Sequence, residues 1–184
     1  MKYATALIFL WGILAAQPAV QTPRPSPELN IKLSSGQEFQ LSKLRGKVVA
    51  LEFIFTTCGH CQRFSEATNQ LFKEYGQRGF RAVGVAFNGD ADQLAPAFVT
   101  QYNLAYPIGT CTTETMLEYL GIPAQPLRLP QLIFIDRRGL MRSYYNGDNL
   151  LFDDPEVSMR KVIEQLLAEP APAGSVRHAA KRKQ

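Results

Sequence analysis

A chain of 184 residues with 46% hydrophobic, 10% aromatic and 20% charged residues has the length and composition of one globular domain with tails, which excludes a disordered chain. Its three cysteines are too few for a disulfide-stapled mini-protein. The formal charge of +4 sits at the ends: without Lys2 and the C-terminal Arg177, Lys181, Arg182 and Lys183 the body carries −1, so no nucleic-acid groove is indicated.

After Met1-Lys2, residues 3–16 are uncharged and mostly apolar, with only Thr5 and Gly12 interrupting Leu7, Ile8, Phe9, Leu10, Trp11, Ile13 and Leu14. This is the length of a secretory h-region and falls short of the roughly 20 residues of a spanning helix. Residues 1–16 therefore read as a signal peptide, or as an uncleaved anchor, because Leu14 is bulky where a processing site favours a small side chain. Residues 17–27, with Pro18, Pro23, Pro25 and Pro27, read as an extended linker.

Residues 29–33 and 37–41 alternate apolar and polar around Ser34-Ser35-Gly36, the pattern of a β-hairpin. Residues 48–55 form a nearly continuous apolar run, which predicts a central strand covered on both faces. Residues 61–75 place Phe64, Ala67, Leu71, Phe72 and Tyr75 at helical spacing, with Gly76 and Gly79 at the end. A second buried strand follows at 80–87, then a helix at 91–102 in which Pro96 predicts a late start or a kink.

Residues 106–108 are a short extended piece, and 113–120 a short helix stopped by Gly121 and Pro123. Residues 130–136 and 140–145 are strands joined by the turn Arg137-Arg138-Gly139. Asp154 before Pro155 is an N-cap signal for a last helix over 155–168, with Val157, Ile163, Leu166 and Leu167 as its expected buried face. Residues 170–184 read as a flexible basic tail. The element order predicts an α/β fold with a central mixed β-sheet flanked by helices and opened by an N-terminal β-hairpin.

The chemistry concentrates at Cys58-Gly59-His60-Cys61, where the central strand ends and a helix begins. Unpaired N–H groups and the positive end of the helix dipole there favour a thiolate at Cys58, and the thiolate is the form that attacks disulfides. His60 adds a donor beside it, and Cys61, one turn on, can close a disulfide with Cys58 and release a partner. A structural zinc site usually needs four ligands. Outside the pair only Cys111, His60 and His178 remain, so no metal ligands and no cofactor beyond the Cys58–Cys61 disulfide are assigned. Cys111 is either an inert buried thiol or a third redox residue.

Several segments together resemble the thioredoxin-fold TlpA/ResA-like thiol-disulfide oxidoreductases of the wider AhpC/TSA group. These are residues 41–49, the strand into Cys58-Gly59-His60-Cys61, Tyr106-Pro107-Ile108, and residues 129–136 with Arg138-Gly139. The resemblance covers residues 28–169 and implies a thioredoxin-like fold. It further implies that Pro130 is held in cis opposite the cysteines, with the Leu129 backbone pairing with an extended substrate segment. Glu52 matches the buried acid that takes a proton from the second cysteine. Thr57 and His60 depart from the family's usual Trp and Pro, and Gly59-His60 resembles the dipeptide of protein disulfide isomerase. A reduction potential is therefore expected between those of thioredoxin and DsbA, about −270 and −120 mV.

The expectation is an extracytoplasmic thiol-disulfide oxidoreductase, secreted across a bacterial inner membrane and working in the periplasm. It would exchange disulfides with protein substrates, as in cytochrome c maturation, and be served by a membrane or periplasmic redox partner. Two alternatives stand beside it. A Sco-like copper carrier would space its cysteines by three residues and add a distant histidine, here only His178. A peroxiredoxin-like peroxide reductase would carry Thr three residues before its reactive cysteine, where this chain has Phe55.

Overall fold

The computed structural model describes residues 20–171. The expected leader and most of the basic tail lie outside the described residues. The frame is built on strand β4 (Val48–Ile54), all seven of whose residues are buried. Because side chains alternate across a strand, Val48, Ala50 and Ile54 enter one apolar cluster and Val49, Leu51 and Phe53 the other. Glu52 therefore lies on the Val48 face.

In chain order the elements are β1 (Arg24–Pro25), β2 (Asn30–Leu33), β3 (Glu38–Gln40), β4, α1 (Gly59–Tyr75), β5 (Phe80–Ala86), α2 (Ala91–Gln101), β6 (Ile108–Thr110), α3 (Thr113–Leu120), β7 (Gln131–Ile135), β8 (Leu140–Tyr145) and α4 (Pro155–Ala168). They form one mixed sheet of order β1-β8-β7-β4-β5-β6-β2-β3. β4, β5 and β6 are parallel, and the remaining neighbours are antiparallel. Phe64 and Leu71 of α1, Phe98 of α2, and Met159 and Ile163 of α4 cover one face of the sheet. Met116, Tyr119 and Leu120 of α3, with Leu29 and Ile31, cover the other.

The hairpin, the two central parallel strands, α3 and the extent of α4 match the reading of the sequence. Three details differ. Of the segment 17–27, expected as an extended linker, the described residues 20–27 are bound to the domain. Val20 is buried, β1 pairs with β8, Arg24 donates to the Tyr119 and Leu120 carbonyls at 2.7 and 3.0 Å, and Ser26 Oγ lies 2.8 Å from Tyr119 Oη. A proline-rich composition fixes an extended backbone, and here that backbone serves as a sheet edge.

Pro96 does not delay the start of α2, which begins at Ala91 and continues past it to Gln101. It lies on the exposed side, while Ala91, Ala95 and Phe98 are buried around it, and this packing outweighs the one hydrogen bond that proline cannot make. In α4 the inward stripe is Met159, Ile163 and Leu166 at i, i+4 and i+7, which leaves Val157 47% exposed and Leu167 at the margin.

Candidate active site

Strand β4 delivers the chain to a turn at Phe55-Thr56-Thr57, and Cys58 is the N-cap of α1. The Cys61 N–H donates to Cys58 Sγ at 3.5 Å, so one of the helix's free donors points at this sulfur. Three further bonds hold the turn. Thr56 N–H donates to Asn88 Oδ1 (3.1 Å), Asn88 Nδ2 donates to Thr56 Oγ1 (3.1 Å), and Gln62 Nε2 donates to the Thr56 carbonyl (3.0 Å). Asn88 follows β5, so the parallel neighbour of β4 fixes the reactive cysteine's approach. No pattern in the sequence pointed to Asn88 or Gln62.

Cys58 is half-buried and Cys61 fully buried, and both are thiols. Burial, with the neighbouring Cys58 and Glu52 adding to it, pushes the Cys61 thiol well above its usual range. Cys61 therefore needs a proton acceptor. Gly59 and His60 form the exposed first turn of α1. The His60 ring is turned toward Arg63, with Arg63 Nη2 3.4 Å from Nδ1, and not onto the Cys58 sulfur.

Glu52 is completely buried. Ser65 Oγ donates to its Oε1 at 3.2 Å, Thr68 Oγ1 to its Oε2 at 3.4 Å, and the Tyr106 hydroxyl donates to Oε1 as well. Ser65 and Thr68 stand four and seven residues after Cys61, on one face of α1. Burial raises the Glu52 carboxyl to about 7 against the opposing pull of these hydroxyls.

Gly84 of β5 sits beside Glu52 in the parallel register. A Cβ there would lie 3.0 Å from Glu52 Oε1 and 2.4 Å from Ile108 Cδ1, so only glycine leaves this space. Tyr106, Ser65, Thr68 and Gly84 are further residues that sequence reasoning did not assign to the site.

The Leu129–Pro130 peptide is cis. Gly147 comes so close that a Cβ on it would lie 2.4 Å from the Leu129 carbonyl oxygen, and its N–H donates to the Arg128 carbonyl at 3.0 Å. Pro130, Gly147, His60, Arg63, Phe64, Phe152, Asp153 and Pro155 line a cleft of about 190 Å³ at the N-terminal end of α1. The structure thus brings Cys58, Cys61, Glu52, His60 and Pro130 to one end of the sheet.

Cys111 is not part of this group. It packs into the cluster on the opposite face from Cys58 and Cys61, and burial pushes its thiol up to about 12. Among the described residues, no three His, Cys, Asp or Glu side chains come together as metal ligands, and His178 lies outside them. Phe55 stacks edge-on against Phe87 with ring centroids 4.6 Å apart, so no hydroxyl stands where a peroxide reductase has its threonine.

A Cys-x-x-Cys pair capping the helix after the central strand of such a sheet defines a thioredoxin-like thiol-disulfide oxidoreductase. The AhpC/TSA family model matches residues 22–144, and the chain belongs to that family. It is similar to "Thiol-disulfide oxidoreductase ResA" of Bacillus anthracis, 27% identical over 131 residues that cover 70% of this chain and 71% of that one. It also resembles "Thioredoxin-like protein YneN" of Bacillus subtilis, 26% identical over 132 residues covering 70% and 73%. Among solved structures, a thiol:disulfide interchange protein of the thioredoxin family from Chlorobium tepidum TLS shares the fold. Its TM-score is 0.67 at 22% identity, with 81% of this chain and 99% of that one covered.

Proposed function

We propose that this protein exchanges disulfides with protein substrates outside the cytoplasm, with Cys58 as the attacking and Cys61 as the resolving residue. The carrying observation is the asymmetry of the pair: Cys58 Sγ, half-buried, accepts a helix N-terminal N–H, while Cys61 is buried beside a buried carboxyl. Cys58 thiolate attacks one sulfur of a substrate disulfide, and the other substrate sulfur leaves as a thiolate. Cys61 then gives its proton to Glu52 and attacks Cys58 Sγ, releasing the second substrate thiol. The substrate gains two electrons and the Cys58–Cys61 disulfide forms. A membrane or periplasmic dithiol partner resets the pair, and in the opposite direction the same steps oxidise a substrate.

Leu129 makes no backbone hydrogen bond among the described residues, which supports its use by an extended substrate segment next to Pro130. The uncharged run at 3–16 supports export, with an N-terminal tether if it is retained.

The test is the reduction potential of Cys58/Cys61, read by thiol labelling in glutathione buffers on the Cys111→Ala variant. A value below about −230 mV identifies a reductant, and one above about −190 mV an oxidant or isomerase. Failure to form the disulfide at all overturns the reading and favours metal binding.

A further inference from the structure

We propose that Tyr106, Ser65 and Thr68 are positioning residues that hold Glu52 beneath the cysteine pair in its ionised, proton-accepting form. This deepens the exchange mechanism above and rests on it for the use made of the carboxylate. The ground is geometric. A buried carboxylate is expensive unless its oxygens are hydrogen-bonded. Here both oxygens are served by three hydroxyls from two separate parts of the chain.

The groups around Glu52 are few. Helix α1 presents Cys61, Ser65 and Thr68; the segment before β6 presents Tyr106; β5, β6 and β7 present Gly84, Ile108 and Leu132; and Met159 of α4 reaches Thr68. Among the described residues no lysine, arginine or histidine pairs with it. The hydroxyls are therefore what offsets the burial of its charge.

Two features show that the arrangement is specific to this carboxyl. Ser65 and Thr68 are fully buried on the stripe of α1 that begins at Cys61, where apolar residues would pack at least as well. The segment carrying Tyr106 is fastened to the same helix: Asn69 Nδ2 donates to the Asn103 carbonyl at 3.0 Å, and the Ala105 N–H donates to Asn69 Oδ1 at 2.8 Å. Tyr106 also has a second acceptor, the Ser65 carbonyl, at 3.4 Å. Its hydrogen can point to Glu52 when the carboxyl is ionised and turn to Ser65 when Glu52 is protonated and donates to it. Both ends of a proton cycle are thereby satisfied without moving the backbone.

The test follows the Glu52 carboxyl by NMR titration of the full chain labelled with ¹³C at glutamate side chains, with Glu52→Gln identifying the signal. In Tyr106→Phe the midpoint should rise by about one pH unit, the scale of one hydrogen bond lost to a charged group. In Ser65→Ala, which keeps every ring, it should rise in the same direction, so the inference stays testable if the tyrosine variant fails to fold. The acid limb of Cys61-dependent release from a Cys58 mixed disulfide should move by the same amount. Unmoved midpoints in the folded variants overturn the inference. A Glu52→Gln protein whose release keeps the unaltered pH profile overturns instead the use of Glu52 in exchange, while the titration still decides whether the hydroxyls hold it.

Discussion

Gly84 stands directly beside Glu52 on the neighbouring parallel strand, and a single methyl group at residue 84 would intrude on both the Glu52 carboxyl and Ile108. The buried acid and the glycine form one unit. Glu52 fits in the sheet because β5 leaves a gap there.

Gly84→Ala should therefore destabilise the fold by about 1–3 kcal/mol, the usual range for overpacking a dense core. Ile108 Cδ1 is the nearer obstacle, at 2.4 Å from the added carbon. Adding Ile108→Val should recover part of the loss. Urea unfolding of the single and double variants measures both effects, and a neutral Gly84→Ala would show that the gap is not filled as described.

Stability should fall as pH rises through the neutral range. Glu52 is raised from 4.5 to about 7 in the folded protein, so between these values the native state holds a proton that the unfolded chain has released. The contribution is whole below about pH 4.5 and lost above about 7, and amounts to about 3 kcal/mol at about 1.4 kcal/mol per unit. Glu52→Gln should flatten this slope. Comparing unfolding free energies at pH 5 and pH 8 for both proteins is sufficient, and equal slopes would contradict it.

Cys61→Ala should accumulate covalent adducts through Cys58 when expressed in an oxidising compartment, because the attacking sulfur remains and the resolving one is gone. Cys58→Ala should accumulate none. Non-reducing electrophoresis followed by mass spectrometry reads the difference, and an absence of adducts from Cys61→Ala would count against the division of labour between the two sulfurs.

A chain beginning at Glu28 should be less stable than one beginning at Val20. It lacks the buried Val20, the β1–β8 pairing and the two bonds from Arg24 to the end of α3. Arg24→Ala alone should cost about 1.5–3 kcal/mol, as hydrogen bonds from a charged donor do. At about 2–4 °C per kcal/mol for a domain of this size, thermal unfolding resolves it. Unchanged melting of the shortened chain would return residues 20–27 to the status of a linker.

Local patterns determined much of this protein. The apolar run into β4, the Cys58-Gly59-His60-Cys61 motif at a strand–helix junction, the Thr113–Leu120 and Pro155–Ala168 helices and the β7–β8 turn all follow from periodicity, capping and turn chemistry, which act over a few residues. Glu52 was legible through the resemblance, as the acid six residues before Cys58 in an otherwise apolar strand. Its partners were not, because Ser65, Thr68, Gly84 and Tyr106 lie 13 to 54 positions away and meet it only through the packing of α1, β5 and the β6 approach onto one face of the sheet. The same holds for Asn88 at the Thr56 turn, for Cys111 on the opposite face, and for the docking of residues 20–27 on β8. Each is a contact between segments remote in sequence, decided by which face of the sheet a residue occupies and which strand lies next to it, information that tertiary structure alone carries.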